Sequence, residues 1–256
     1  MDAFFCLDDS PFFEFIELQS IDSTNNFLRS YHPIRERRMT VVTAEHQLQG
    51  RGQAGNSWES EEGKNLLCSI SIRPKNIKAS EVFVLSQAIS VAIKMALEDY
   101  LQPVHIKWPN DIYYQDHKLG GILIENELAG DRIARCIIGL GININQTEFV
   151  SDAPNPISMK QILGKDIERR FVLERIVGHF DRLWNQIERG DVEALQSIYL
   201  QSLYKKDEVA VYCDAQGEFQ ARIEGVLSQG LLQLRDNDNQ LRSYEFKEVS
   251  LVLPKQ

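Results

Sequence analysis

The chain has 256 residues and a formal net charge of −9, from 28 basic and 37 acidic residues. Its length predicts one large domain with a smaller one, and a hydrophobic fraction of 43% excludes a disordered, collagen-like or disulfide-stapled chain. An acidic chain without a long basic run lacks the clustered Lys and Arg that phosphate backbones require, so a general nucleic-acid binder is also excluded.

The first hundred residues predict short helices and strands around a long loop. Two strands are predicted, over residues 39–44 and over a half-buried stretch in which Cys68, Ile70 and Ile72 alternate with polar residues. A polar loop with four glycines, residues 47–65, separates them. Helices are predicted over 26–31, with Asp22 or Ser23 as the N-cap, and from an N-cap at Ser80 to Leu101.

The middle of the chain predicts four strands and then two helices. The strands cover residues 104–108, 112–114, 119–128 and 132–144, and the turn at 129–131 predicts a hairpin between the last two. A proline-rich loop over 151–157 precedes an amphipathic helix with an apolar stripe from Val172 to Ile187. A further helix is predicted from Gly190–Asp191 to about Ser202.

After residue 204 the pattern changes to short strands, over 209–212, 219–226, 231–234 and 244–253, which is typical of a small barrel. The predicted domains are therefore 1–204 and 205–256. Because strands and helices are mixed rather than alternating in the first domain, the sequence favours an α+β fold, with a mixed sheet and flanking helices, over a doubly wound sheet.

Cysteine usage and the N-terminus indicate a compartment. Cys6, Cys68, Cys136 and Cys213 are scattered and form no CxxC pair, so we expect neither a disulfide framework nor a zinc site. The N-terminal segment carries acids where a secretory signal needs basic residues, and no apolar run approaches the length of a membrane span. We therefore expect a cytoplasmic protein without a membrane partner.

Two loops carry side chains suited to chemistry. The glycines around Arg51, in the segment from Gly50 to Trp58, would let backbone amides approach an anion, and Trp58 offers a flat face; a solvent loop with a structural tryptophan is the alternative. In the segment KWPND, Lys107 to Asp111, Asp111 could orient a metal–phosphate group or accept a proton. Asn110 and Asp111 could equally be simple turn formers.

Two strand ends are also candidates. Lys118 precedes two glycines and an apolar strand, so it could project into a cavity, although most lysines are exposed surface residues. The segment from Gly139 to Asn143 is no dinucleotide fingerprint, because Ile144 stands at the third glycine position and no helix follows. Asn143 could hydrogen-bond a base edge, or the strand could pack tightly through its glycines.

Taken together in order and spacing, these segments resemble the biotin–protein ligases. That family has a GRGRxGRxW loop, a KWPND turn, a KL(A/G)GIL strand and a GxGIN strand in the same order, and its upstream Ser-Thr-Asn and glutamine correspond to Ser23–Asn25 and Gln47. The resemblance covers roughly residues 15–203 and the C-terminal barrel. It implies the class II synthetase-like biotin/lipoate ligase fold with an SH3-like barrel, in a bacterial short type without an N-terminal DNA-binding domain.

The resemblance implies a two-step reaction with biotin, ATP and Mg²⁺. The biotin carboxylate attacks the α-phosphate of ATP, and a lysine of a biotin carboxyl carrier protein then attacks the biotinyl-adenylate. The implied catalytic residues are Lys118, Arg51 and Asp111. Biotin binding is implied for Ser23, Thr24, Asn25, Gln47, Arg51, Gly52, Gln53 and Lys118, and ATP binding for Arg51, Trp58, Lys107, Asn110 and Asn143. Since Mg²⁺ accompanies ATP, no metal ligand from the protein is expected.

The loop departs from the family pattern at two positions. Gln53 and Asn56 stand where the family has arginines, so we expect the adenylate to escape more readily here. No nucleic-acid partner is expected, and a monomer and a homodimer both stay open. The alternatives are a lipoate–protein ligase, a biotin-responsive repressor, for which we expect no room before Ser23, and a catalytically inactive binding module. The group that accepts the proton of the attacking lysine also stays open.

Overall fold

The computed structural model describes residues 12–33, 37–75, 77–150 and 155–253. Cys6 and the first part of the proline-rich loop, residues 151–154, lie outside these ranges. The strands of the first sheet are β1 (Phe13–Ile21), β2 (Met39–Gln47), β3 (Leu66–Ile72), β4 (Val104–Lys107), β5 (Asp111–Tyr114), β6 (His117–Ala129) and β7 (Arg132–Ile142). The helices are α1 (Thr24–Ser30), α2 (Phe83–Glu98), α3 (Met159–Leu163), α4 (Arg169–Glu188) and α5 (Glu193–Gln201).

The first sheet has the strand order β1-β2-β3-β7-β6-β5-β4. β1 and β2 are parallel and joined through α1, whereas the other pairs are antiparallel. The sheet is therefore mixed, and the predicted α+β class is confirmed. The predicted hairpin is also confirmed, because Ala129 pairs with Arg132 across a two-residue turn in which Gly130 has a φ of +65°.

The helices α2, α4 and α5 pack together beside this sheet. The predicted stripe of α4 is buried, from Val172 to Ile187. α2 begins at Phe83 after a short 3₁₀ turn, Ala79–Glu81, and its N-cap is Val82, so the prediction of Ser80 as the N-cap was wrong. Together, the 3₁₀ turn and α2, residues 79–98, form a helical segment long and apolar enough to span a membrane, contrary to our expectation. Most of this helix is buried inside the protein, as in the core helix of a soluble protein.

β3 was predicted to be half-buried, and that prediction was wrong. Each of its residues is buried, because Leu66, Cys68, Ile70 and Ile72 belong to the main hydrophobic core and helix α1 packs against the strand. Its polar residues find partners in the interior. Ser71 Oγ, for example, accepts a hydrogen bond of 2.9 Å from Arg135 Nε. Burial raises the pKa of the Cys68 thiol in β3 and that of Cys136 in β7, the latter to about 12, so both are protonated core side chains.

A second sheet contains β8 (Ala210–Asp214), β9 (Gly217–Val226), β10 (Leu232–Asp236), β11 (Leu241–Tyr244) and β12 (Val249–Leu251), in the order β11-β10-β9-β8-β12. The predicted strand over 244–253 is divided, because β11 ends at Tyr244 and a turn stabilised by Glu248 precedes β12. The closed barrel and the domain boundary stay predictions. At this boundary, Ser202 and Tyr204 hydrogen-bond to the backbone of Ile106 and cover the β4 edge of the first sheet.

Candidate active site

A pocket lies on one face of the first sheet, above adjoining β3, β7, β6 and β5. Its lining comprises Ser23, Thr24, Asn25, Gln47, Arg51, Gly52, Gln53, Trp58, Cys68, Asn110, Asp111, Lys118, Gly121, Ile122, Leu123, Gly139, Leu140 and Gly141. Three glycines form part of its floor: Gly141 of β7 pairs with Gly121 of β6, and Gly139 of β7 pairs with Leu123 of β6. These strands therefore leave room above the sheet for side chains from other segments.

Asn25 of α1 lies over Gly139. A Cβ on Gly139 would come within 2.3 Å of Asn25 Oδ1, so only glycine fits at this position. Asn25 Oδ1 is 2.6 Å from Ser69 Oγ of β3, and its Nδ2 donates to Glu125 Oε2 of β6 at 2.8 Å. The amide thus spans β7 and connects two strands that are not neighbours in the sheet.

Thr24 and Gln47 form the next part of this network. Gln47 Oε1 accepts hydrogen bonds from Thr24 N, at 2.7 Å, and from Thr24 Oγ1, at 3.0 Å. Ser69 Oγ lies 2.7 Å from Thr24 Oγ1. Ser23 is the N-cap of α1 by backbone geometry, but its side chain makes no capping hydrogen bond, and the first amide of the helix, Thr24 N, is satisfied by Gln47 instead. The preceding Asp22 instead accepts from Asn26 Nδ2 at 2.8 Å.

Helix α1 has seven residues, too few to be stable without tertiary contacts. At its C-terminal end, the buried guanidinium of Arg135 from β7 donates to the backbone oxygens of Leu28, Arg29 and Tyr31. The last carbonyls of a helix lack their regular intrahelical partners, although Leu28 O also accepts a bond of 3.3 Å from Tyr31 N, and a cation interacts favourably with this end of the helix dipole. Arg135 thereby fixes the helix that carries Thr24 and Asn25.

The indole of Trp58 lies over Gly141 and Gly121. A Cβ on Gly141 would come within 2.4 Å of Trp58 Cε2, and one on Gly121 within 3.2 Å of Trp58 Cζ3. Lys118 Nζ is 5.9 Å from the ring centroid, in the range of a cation–π contact. The Trp58 Nε1 and the Gln53 Oε1 are both buried, and neither has a hydrogen-bond partner among the described residues. Buried polar atoms without partners require an explanation, and a bound ligand is one.

Lys118 and Asp111 form an ion pair of 2.6 Å inside the pocket. The pairing of β5 with β6 shifts register next to Lys118, as it does at a β-bulge. Bulges commonly change the direction of side chains near active sites. Lys107, which pairs with Asp111 across β4 and β5, is close enough to influence both charges. Burial lowers the pKa of Lys107, Asp111 opposes this effect, and Lys118 adds to it. Three charged side chains therefore adjoin one another at this end of the pocket.

The glycine loop closes the opposite side. Gly52 N donates to Asn56 O at 2.6 Å around a 3₁₀ turn, Gln53–Gly55, and a Cβ on Gly50 would meet Trp58 O at 2.4 Å. Arg51 donates to Glu125 through both terminal nitrogens and to Asn26 Oδ1 at 2.9 Å. The loop is therefore tied to α1 and β6.

Among the residues that the sequence singled out, eleven line this pocket: Ser23, Thr24, Asn25, Gln47, Arg51, Gly52, Gln53, Trp58, Asn110, Asp111 and Lys118. Lys107 and Asn143 are not in the lining. Asn143 is buried behind Lys118, where its Nδ2 donates to Ile157 O at 3.2 Å. Asn56 is exposed outside the pocket, so of the two departures from the arginine pattern only Gln53 adjoins the ligand space.

Sequence reasoning missed Ser69 and Glu125. Ser69 belongs to an alternation that favoured a solvent-facing serine, and only its complete burial reveals its role. Glu125 closes the KLGGILIE stretch, and an acid on the Gly121 face of β6, four residues along, was the available signal. Within the described ranges, no three His, Cys, Asp or Glu side chains cluster so that they could hold a metal ion.

Residues 17–143, from β1 to Asn143, match the model of the "Biotin/lipoate A/B protein ligase family". The chain belongs to this family, whose motifs supply the pocket described above. Within the family the similarities are to biotin protein ligases. A biotin protein ligase structure from Aquifex aeolicus, in complex with biotin and ATP, has 25% identity and a TM-score of 0.78, covering 94% of this chain and 99% of that one.

Two curated relatives agree. "Bifunctional ligase/repressor BirA" of Bacillus subtilis is 34% identical over 149 residues, which are 56% of this chain and 45% of the relative. A "Biotin--[acetyl-CoA-carboxylase] ligase" of Paracoccus denitrificans is 25% identical over 201 residues, 76% of this chain and 83% of the relative. The chain matches about half the length of the BirA relatives. These similarities do not favour the alternative of a lipoate ligase.

Proposed function

We propose that this protein attaches biotin to a lysine of a biotin carboxyl carrier protein, through biotinyl-5′-adenylate. The main support for this proposal is the pocket. It brings together the Lys118–Asp111 ion pair, Arg51 and the hydrogen-bond network of α1 above the glycines of the sheet. First, the biotin carboxylate attacks the α-phosphate of ATP and pyrophosphate leaves. Second, the lysine amine attacks the acyl carbon, an amide forms and AMP leaves.

The first step brings two anions together, so positive charge must offset their repulsion. Lys118 stabilises the charge that develops on the carboxylate and the α-phosphate, and Arg51 holds the carboxylate from the loop side. The new phosphoanhydride is assigned to the backbone amides of Gln53 and Gly52, the second of which must first release its bond to Asn56 O. Mg²⁺ enters as part of the ATP substrate; Asp111 is already paired with Lys118, which supports phosphate oxygens rather than a protein cluster as its main ligands.

The ureido ring of biotin has donors and acceptors that match the α1 side of the pocket. We assign its recognition to Ser23, Thr24, Asn25 and Gln47. Two of these already bond to each other, Thr24 to Gln47, so their orientation is fixed before a ligand arrives. Such preorganisation lowers the entropic cost of binding. The unpartnered Gln53 Oε1 supplies an acceptor to the same ligand.

The nucleotide is assigned to the Trp58 side of the pocket. Trp58 covers the adenine, and Lys107 and Asn110 border the phosphates. Asn143 is also assigned to the adenine, through its Oδ1 because its Nδ2 donates to Ile157 O; since Asn143 is buried outside the pocket lining, this contact requires the pocket to open on that side. Asp111 positions the acceptor lysine. We infer a cytoplasmic enzyme that acts on a carrier protein and not on nucleic acid or membranes, as a monomer or homodimer; the domains are proposed as 1–204 and 205–256.

Biotin-dependent exchange of labelled pyrophosphate into ATP tests the first step, and transfer of labelled biotin to a carrier domain tests the second. Parallel reactions with lipoate provide the comparison. The proposal expects exchange and transfer with biotin and neither with lipoate. Biotin binding without exchange would instead indicate an inactive binding module, and exchange with lipoate alone would overturn the assignment.

A further inference from the structure

Helix α1 and the glycine loop both bond to one carboxylate, Glu125 of β6. Asn25 Nδ2 donates to its Oε2 at 2.8 Å, and Arg29 Nη2 lies 2.5 Å from its Oε1. From the glycine loop, Arg51 donates to both oxygens, with Nη2 2.9 Å from Oε1 and Nη1 3.2 Å from Oε2. A two-oxygen arginine pair of this kind fixes orientation as well as distance.

The charges favour this arrangement at neutral pH. Burial by itself raises the pKa of Glu125, but the hydrogen bonds from Asn25 and Arg51 and the nearby guanidiniums lower it by more, so its pKa lies below the usual value. The side chain is 22% exposed and that of Arg51 is 37% exposed. The ion pair is therefore partly protected from solvent, which helps it to keep its geometry, while Arg51 is still exposed enough to bind a ligand.

The donors of Arg51 divide between the protein and the pocket. A guanidinium has five N–H groups in a fixed plane. Three of them engage Asn26 and the two oxygens of Glu125. The remaining two, on Nε and Nη2, have no other described acceptor, and Arg51 lines the pocket. Because the plane is rigid, fixing three donors also fixes the direction of the other two.

We propose that Glu125 is a positioning residue, which holds the Arg51 guanidinium in the orientation that binds the carboxylate of biotin. The inference rests on the proposed function, since it takes biotin as the ligand of Arg51. Glu125 itself does not touch the ligand in this proposal. It acts through Arg51, and it couples the closed glycine loop to α1 through Asn25 and Arg29.

A double-mutant cycle on the dissociation constant of biotin, measured by calorimetry without ATP, tests this role. In the wild-type background, Glu125→Gln should raise the constant about tenfold, because a neutral amide cannot hold a guanidinium through two acceptor oxygens. In the Arg51→Gln background the same change should raise it less than about twofold. Arg51→Lys keeps the charge but not the fork and should also weaken binding about tenfold.

The matched control is Glu218→Gln, an exposed acid of β9 far along the chain, which should leave the constant unchanged. Thermal unfolding of each variant detects misfolding, and Arg51→Lys, a change at an exposed side chain, supplies the test should Glu125→Gln not fold. Equal effects of Glu125→Gln in both backgrounds, or no effect of either Glu125→Gln or Arg51→Lys on binding, would overturn the proposal. Failure of the wild type to bind biotin would overturn the proposed function instead.

Discussion

Replacing Gly141 by alanine should displace Trp58 from the pocket floor. The added Cβ would lie 2.4 Å from Trp58 Cε2, 2.7 Å from Nε1 and 2.8 Å from Cδ2. Ordinary carbon–carbon contacts are about 3.5–4.0 Å, so the indole must retreat by about 1 Å. Since Gly141 belongs to a central strand, the sheet backbone cannot move aside easily, and the ring must move into the ligand space.

Two magnitudes follow for Gly141→Ala. Overpacking of this kind costs about 1–3 kcal/mol. For a chain of this size, that corresponds to a fall in Tm of about 2–12 °C. Because Trp58 is proposed to cover the adenine, a shift of about 1 Å should lower kcat/KM for ATP in pyrophosphate exchange by up to about 100-fold. Thermal unfolding measures the first effect, and exchange at varied ATP measures the second.

Gly225→Ala in β9 is the matched control, because its Cβ would meet only Gln233 Oε1, at an ordinary 3.5 Å. It should leave both Tm and kcat/KM nearly unchanged. Adding Trp58→Leu to Gly141→Ala removes the clash and should restore most of the lost Tm, but not the ATP contact. If Gly141→Ala behaves like Gly225→Ala in both assays, the glycine is not there to admit the indole and the reasoning is refuted.

Three further predictions concern single substitutions. Lys118→Ala should leave biotin binding measurable but slow biotin-dependent exchange about 100-fold or more, because its charge matters most as the reaction charge develops; a near-normal exchange rate would refute that role. Gln53→Arg should slow release of biotinyl-adenylate about tenfold in a stopped-flow chase, by adding a cation beside the pocket, and an unchanged off-rate would contradict it. Gly230→Ala should lower the free energy of unfolding by about 2–4 kcal/mol, because φ is +96° and the Cβ would lie 2.7 Å from Phe83. Gly217→Ala, with φ +120° and nothing within 4 Å, should cost only the backbone share, about 1–2 kcal/mol, in denaturant unfolding; equal losses would exclude the Phe83 clash.

Strong periodicity predicted the long elements of the fold well. The α4 stripe and the β6–β7 hairpin follow from residue patterns that tertiary contacts reinforce. β1 was not predicted, since Phe13–Ile21 mixes apolar and acidic residues as a partly buried edge strand does. The short helix α3 was also missed, although Ser158 and Gln161 form the capping box that marks its start.

The sequence motifs predicted most of the residues that line the pocket, but not the hydrogen bonds that hold those residues in position. The order and spacing of the family segments identified Thr24, Gln47 and Lys118, which do line one cavity. Ser69 and Glu125 could not be found in this way, because their importance depends on which strands lie side by side. That β3, β7 and β6 are consecutive in the sheet is a property of the topology, and no local pattern encodes it.

The glycines at 121, 139 and 141 leave a strip without side chains across two neighbouring strands, β6 and β7, so the residues that build this part of the sheet are not the ones that contact the ligand. In a pocket on a sheet, the ligand is normally contacted by side chains of the strands themselves. A new specificity would then require substitutions within the strands that form the sheet. Here the side chains above the glycines are those of Asn25, Trp58 and Lys118. The first two belong to a helix and a loop outside the sheet. Exchange of those two segments could therefore redirect the pocket to another carboxylic acid while the strands beneath retain their sequence.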